Sequence, residues 1–152
     1  MVLAHETTAL LVRLLHLLAV TVLVGGAVVV WLQFRREGGG ASSDSDPRLA
    51  TAASYEWLFW GALGVVVMTG VGNLGALAPG VPEPDTRWGA VLALKLGVLL
   101  AFVLFSVARS LVLVRVRRLA PAGAGGVLRR AYGLTAGVLV LLLTLAEVLA
   151  HG

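Results

Sequence analysis

Four long apolar runs dominate the chain, at residues 8–34, 53–77, 88–116 and 127–150, and shorter polar stretches separate them. Each run is long enough for a helix to cross the hydrocarbon core of a bilayer, which takes about 20 residues. Backbone groups inside a bilayer have no water to bond, so such segments form helices rather than open strands. The first run lacks the basic start and the cleavage motif of a signal peptide, and we expect it to remain in the mature protein. The pattern predicts an all-α integral membrane protein, a four-helix up-down bundle in which residues 1–152 form a single transmembrane domain.

The composition supports this prediction and excludes other classes of protein. Hydrophobic residues make up 59% of the 152 residues and charged residues 13%, and the mean hydropathy is +0.94, well above the values typical of soluble domains. The chain has no cysteine, which excludes disulfides and thiolate metal sites. Its arginines flank the apolar runs, so we expect them to contact the lipid bilayer and not nucleic acid.

The distribution of arginines predicts the orientation in the membrane. Eight of them lie in or beside the first and third connections: Arg35, Arg36, Arg48, Arg115, Arg117, Arg118, Arg129 and Arg130. Cytoplasmic loops carry such an excess, so we expect these connections on the cytoplasmic side of the inner (cytoplasmic) membrane. The second connection, residues 78–87 (APGVPEPDTR), and both termini then lie outside. Five aromatic residues are expected at the inner membrane interface: Trp31, Tyr55, Trp57, Trp60 and Tyr132.

Ionisable residues occur inside the predicted spans, where each costs about 2.5–3.5 kcal/mol on insertion scales. His16 on the first helix and Lys95 on the third lie at a similar depth in the outer half of the membrane. Arg13 precedes His16 by three residues, and Glu147 and His151 form an i, i+4 pair on the fourth helix, so these side chains predict one shared pocket. Four further residues are candidates for the same pocket: His5, Met68, Thr69 and Asn73.

Purely structural roles are the alternative. Lys95 and Glu147 are able to form an ion pair that only joins helices, and Arg13 is able to extend its guanidinium group to the lipid headgroups. His16 is able to hydrogen-bond a neighbouring helix. Such a bundle would be an accessory subunit without a cofactor.

Two further features are expected to serve packing. Arg109 and Glu56 both lie near the cytoplasmic boundary, where a pair between them would have a structural role. Gly133 and Gly137 form a GxxxG pattern, which allows two helices to approach closely. Neither feature predicts a ligand.

Two segments resemble a known family of membrane proteins. Residues 14–27 (LLHLLAVTVLVGGA), which include His16, resemble the first helix of the CopD family of copper-resistance proteins. Residues 88–104 (WGAVLALKLGVLLAFVL) are similar to the lysine-bearing helix of CopD-like proteins and of the related HemJ group, which places Lys95 on the family's lysine. The resemblance implies either copper handling across the inner membrane or a b-type haem held in the bundle.

The charges of the predicted pocket favour haem over copper. Arg13 and Lys95 outnumber the single carboxylate of Glu147, and a positive surplus attracts the haem propionates and repels copper ions. The resulting hypothesis is a haem b redox or electron-transfer protein with His16 as an axial ligand and Arg13 and Lys95 as propionate partners. The second axial position is either open or filled by one of four residues: His151, His5, Met68 and Lys95.

The haem hypothesis makes the chain a candidate oxidoreductase that exchanges electrons with a quinone or another redox membrane protein. The alternative hypothesis is a copper-transport or copper-resistance protein. In it, His5, His16 and His151 pass the ion inward from the outer face. Assembly as a homo-oligomer is open under either hypothesis.

Overall fold

The structure is a computed structural model that describes residues 2–36, 46–77, 86–119 and 124–151, with side chains described for 7–36, 46–71, 86–119 and 124–148. This part of the chain forms four α-helices: α1 (Val2–Arg36), α2 (Pro47–Leu77), α3 (Arg87–Leu119) and α4 (Ala124–His151). All four are long and apolar enough to cross a membrane. The prediction of an all-α bundle of four transmembrane helices is confirmed.

The helices extend beyond the predicted limits, and α2 begins six residues earlier than its apolar run. Asp46 caps this helix, because its Oδ1 accepts the backbone N–H of Arg48 at 2.9 Å while Pro47 occupies the first helical position. The Arg48 guanidinium group also bonds the Asp46 carboxylate and holds the pKa of that carboxyl below its usual value. Apolar periodicity does not register such a cap, so the apolar run begins later than the helix.

Each helix packs against its neighbours in an antiparallel arrangement. α1 packs against α2 and α4, while α3 packs against α4 and, over a shorter contact, against α2. Within the described residues, the diagonal pairs α1–α3 and α2–α4 make no backbone contact. The four helices therefore surround a common interior that side chains from all of them can reach.

We call the end where α1 and α3 finish and α2 and α4 begin the basic end, because it carries the arginines of the first and third connections. The half of the bundle towards it is the basic half, and the opposite half, where α1 begins and α4 finishes, is the termini half. Which side of the membrane the basic end faces stays a prediction.

The apolar core lies mostly in the basic half. Its largest members are the buried side chains Leu23, Val30, Phe34, Tyr55, Phe59, Leu63, Phe102, Leu113, Leu128, Tyr132 and Leu139. In the termini half, by contrast, no residue is buried in the described stretches 7–18 of α1, 90–101 of α3 and 140–148 of α4. The helices are thus tightly joined towards the basic end and loosely joined towards the termini.

Two of the five aromatic residues expected at the membrane interface are part of this core. Tyr55 and Tyr132 are 4% and 0% exposed, and the Tyr55 hydroxyl donates a hydrogen bond to the Leu23 carbonyl at 2.8 Å. Trp57, in contrast, is 85% exposed. The position of an aromatic residue near a helix end does not reveal which way it points, so the belt prediction was wrong for both tyrosines.

Glycine lets aromatic rings approach two helices closely. The Trp31 indole packs against Gly133, where a methyl group would come within 2.9 Å of its Nε1, and the Tyr55 ring packs against Gly26. Gly137, the second glycine of the GxxxG pattern, faces open space. Close packing at Gly133 therefore involves a ring of α1 and not a continuous glycine seam.

Candidate functional site

His16 lies in the termini half, on α1, and its side chain is half-buried. Its Nδ1 is 2.7 Å from the hydroxyl oxygen of Thr69 on α2. The imidazole also lies close to Gly70, because a methyl group at that position would be 4.0 Å from His16 Cε1. Among the described side chains, this is the one hydrogen bond that joins two helices in the termini half. The sequence prediction that His16 and Thr69 share one space agrees with this contact.

Lys95, on α3, brings a positive charge to the same region. Its side chain is half-buried, and the ammonium group is close enough to His16 to interact with it electrostatically. Among the described residues, no carboxylate lies within ion-pair distance of Lys95, and the ion pair considered with Glu147 is not formed. Glu147 is exposed near the end of α4. Lys95 is therefore not explained as one half of a helix-joining pair.

The structure does not bring all the other predicted residues to His16. Arg13 is exposed, and Met68 is 77% exposed although its neighbour Thr69 is buried. Three predicted side chains lie outside the described residues: His5, Asn73 and His151. Within the described part, no group of three or more His, Cys, Asp or Glu side chains is placed to hold a metal ion.

A second polar cluster lies about 20 Å away along α2, in the basic half, since 13 residues separate Thr69 from Glu56. Arg109 of α3 donates two hydrogen bonds to Glu56, from Nε to Oε1 at 2.8 Å and from Nη2 to Oε2 at 3.1 Å. Its Nη1 donates to the Thr135 hydroxyl of α4 at 2.6 Å. The expected Arg109–Glu56 pair is thus confirmed, and both residues are buried.

This cluster is closed. Each carboxylate oxygen of Glu56 accepts a second hydrogen bond, Oε1 from the Tyr132 hydroxyl and Oε2 from the Ser110 hydroxyl. The Arg109 guanidinium group also stacks near the Phe59 ring, with its carbon 4.3 Å from the ring centre. With its carboxylate saturated and its arginine 2% exposed, the cluster joins α2, α3 and α4 and offers no open position to a ligand.

The sequence predicts the charged pair of this cluster, Arg109 and Glu56, but not the neutral residues that bond to it. Ser110, Tyr132 and Thr135 carry small or common polar groups, and nothing distinguishes them in sequence from exposed residues such as Thr144. One signal was available, because Ser110 follows Arg109 directly and Thr135 follows Tyr132 by three residues, on one face of α4.

The two clusters differ in what they can do. In the termini half, the Lys95 ammonium group acts electrostatically on the His16 imidazole, and one hydrogen bond among the described residues holds that imidazole. An imidazole nitrogen binds metal ions such as copper or iron, and an ammonium group binds carboxylates or phosphates. The region around His16 and Lys95 is therefore the candidate functional site.

Comparison with known proteins supports part of the family resemblance. The family model described as Copper resistance protein D matches residues 49–149, which include most of α2, all of α3 and most of α4. The match includes Lys95 but not His16, and a relation to the HemJ group stays a prediction. No curated protein and no solved structure shows a significant match. Because the match covers more than half of the sequence, the chain belongs to the CopD family of copper-resistance membrane proteins.

Proposed function

We propose that this protein handles copper ions in the membrane, as cargo of a copper-transport or copper-resistance function, with His16 as a ligand inside the bundle. His5 and His151, near the two chain ends, are the proposed further ligands along the same route. Membership of the CopD family and the position of His16 in a membrane-spanning bundle support the proposal.

The contact between His16 and Thr69 is the observation that carries this proposal. It uses Nδ1 of the imidazole, and Nε2 has no hydrogen-bond partner among the described residues. A ring whose one nitrogen is engaged in this way is the usual state of a histidine that binds a metal through the other nitrogen. The described residues supply copper with this single imidazole, so a larger set of ligands depends on His5 and His151.

Lys95 gives this site the properties of a transit position rather than of a storage site. A positive charge close to His16 weakens the binding of a cation there. Ions move through a membrane protein only where binding is weak enough to permit release. The positive charge of Lys95 therefore disfavours a permanently bound copper ion at His16 but is compatible with a copper ion that passes through.

Uptake of copper by liposomes that contain the purified protein tests the proposal. We expect His16→Ala to abolish protein-dependent uptake, because His16 is the only histidine among the described side chains of the site. Leu17→Ala is the matched control, since Leu17 is the next residue on α1 and is 63% exposed. Equal uptake by the His16→Ala and Leu17→Ala proteins would contradict the proposed role of His16.

Haem b is the second candidate ligand, and one specific observation favours it. The Lys95 ammonium group has no carboxylate partner among the described residues, and a haem brings two propionates. His16 would be the axial ligand, and Lys95 and Arg13 would bind the propionates. A bound haem would supply redox chemistry and allow electron exchange with a quinone or another membrane protein.

An absorption spectrum of the purified protein, oxidised and then reduced with dithionite, separates the two candidates. A Soret band that shifts on reduction and is lost in His16→Ala would support haem. A colourless protein that takes up copper would support the copper proposal and contradict the hypothesis that His16 binds a haem iron.

A further inference from the structure

The hydrogen bond between His16 and Thr69 has a direction that the surrounding atoms determine. The Thr69 hydroxyl oxygen is 2.6 Å from the Val65 carbonyl oxygen, one turn earlier on α2, and 3.3 Å from the Val66 carbonyl oxygen. Carbonyl oxygens only accept hydrogen bonds, and a hydroxyl has a single hydrogen. The Thr69 hydrogen therefore points to Val65, and its oxygen is left to act as an acceptor.

This direction determines which nitrogen of His16 carries the proton. Since the Thr69 oxygen accepts, Nδ1 at 2.7 Å must be the donor. A neutral imidazole has one N–H, so the lone pair is then on Nε2. If Nδ1 carried the lone pair instead, the Thr69 hydrogen would turn towards it. The 2.6 Å contact with the Val65 carbonyl would then bring two oxygens together with no hydrogen between them.

We propose that Thr69 is a positioning residue for His16. It holds the imidazole in the form with a proton on Nδ1 and presents Nε2 as the nitrogen that binds a metal. Gly70, the next residue on α2, lies beside the ring, and a methyl group there would be in ordinary contact with His16 Cε1 at 4.0 Å. The statement about a metal rests on the proposed function, whereas the statement about the protonated nitrogen does not.

Two substitutions at Thr69 separate positioning from packing. Thr69→Val keeps the shape of the side chain and removes the hydroxyl, while Thr69→Ser keeps the hydroxyl and removes a methyl group. Thr144→Val is the matched control, because the Thr144 hydroxyl likewise bonds a carbonyl one turn earlier but is exposed. Thermal unfolding of each variant verifies that the bundle is intact.

The first readout is the nitrogen NMR spectrum of the full-length protein in lipid, without metal, with ¹⁵N in the histidine rings. The His16 signals are assigned by comparison with His16→Ala. We expect a proton on Nδ1 in the unsubstituted protein, in Thr69→Ser and in Thr144→Val, and a mixture of the two neutral forms in Thr69→Val. A proton on Nε2 in the unsubstituted protein, or an unchanged spectrum in Thr69→Val, would overturn the proposal.

The second readout is the equilibrium affinity of the same proteins for copper alone. Loss of a residue that orients a metal-binding histidine costs about 10–100-fold in affinity, and we expect a reduction of this size in Thr69→Val only. An unchanged affinity in Thr69→Val would overturn the metal part of the proposal. Absence of copper binding by the unsubstituted protein would overturn the proposed function instead, while the NMR result would still decide the role of Thr69.

Discussion

Both halves of this bundle contain ionisable side chains inside membrane-spanning helices, but the two sets differ in burial and in the number of their hydrogen bonds. In the basic half, Glu56 and Arg109 are buried, and each carboxylate oxygen accepts two hydrogen bonds. In the termini half, His16 and Lys95 are half-buried, and among the described side chains one hydrogen bond, from His16 to Thr69, reaches another helix. Charged groups inside membrane spans are thus not equal as indicators of function. Those that are fully paired maintain the fold, and those left with open positions are candidates for binding.

The physical reason lies in the cost of burying charge. A buried ion pair contributes little net stability, but removal of one partner leaves an uncompensated charge and costs about 3–5 kcal/mol. Lys95 has no carboxylate partner among the described residues, so its removal leaves no uncompensated charge on a described partner. The comparison between the two halves can therefore be tested by the sizes of the effects of substitutions.

The largest effect is expected for Arg109→Met, which leaves the Glu56 carboxylate buried without its cation. We expect a loss of about 3–5 kcal/mol in the free energy of unfolding, measured by denaturation in detergent micelles. Arg13→Met, at an exposed arginine of α1, is the control and should change little. The double variant Glu56→Leu, Arg109→Met should be more stable than Arg109→Met alone. Equal losses of stability in Arg109→Met and Arg13→Met would contradict the distinction between the two halves.

A smaller effect is expected for Gly26→Ala, because the new methyl group would overlap the Tyr55 ring in the core. Overpacking of this kind costs about 1–3 kcal/mol. Gly25→Ala is the adjacent control, with open space around the new methyl group. In the termini half, Gly70→Ala should be tolerated as well, since the methyl group would only touch His16 at 4.0 Å. A cost at Gly70 as large as that at Gly26 would show that the termini half is equally tightly packed.

A comparable but more local loss is expected for Thr135→Val, which removes the acceptor of Arg109 Nη1 and keeps the shape of the side chain. Hydrogen bonds to charged groups contribute about 1.5–3 kcal/mol, and we expect a loss towards the lower end of this range because the guanidinium group keeps its bonds to Glu56. Thr144→Val should leave the free energy of unfolding unchanged, since Thr144 is exposed. Equal effects would mean that the cluster does not depend on its neutral members.

The smallest effect on stability is expected for Lys95→Met. Because no described carboxylate pairs with Lys95, the free energy of unfolding should stay within about 1 kcal/mol of that of the unsubstituted protein. A loss as large as that in Arg109→Met would instead assign Lys95 a helix-joining role and favour an accessory subunit without a cofactor. Denaturation curves recorded side by side decide between these results.

Much of the fold could be predicted from the sequence, because a bilayer allows long apolar runs few conformations. The four helices follow directly from this constraint. The direction of side chains could not be predicted, since nearly every face of these helices is apolar. Met68 and Thr69 are adjacent in sequence, yet one is exposed and the other bonds His16. Tyr55 and Tyr132 were likewise assigned to the lipid interface and lie in the core.

The candidate site was predicted only in part for the same reason. The cost of charge in a membrane identified His16 and Lys95, but it did not identify their partners. The pairing of Lys95 with Glu147 was reasonable by depth and charge alone, and the positions of α3 and α4 do not produce it. Depth follows from counting residues along a helix, whereas pairing depends on the rotation of each helix about its axis.

The Glu56 cluster joins α2, α3 and α4 but includes no residue of α1, which is attached through separate contacts such as Tyr55 to Leu23. The same three helices are those covered by the family match, whereas His16 lies on the helix outside it. The Glu56 cluster and His16 are therefore carried by different helices, although Lys95 and Thr69, which lie in the same region as His16, belong to the matched part of the chain. The copper ligand that we propose is thus separable from the frame, because a substitution of His16 on α1 breaks none of the hydrogen bonds that join α2, α3 and α4.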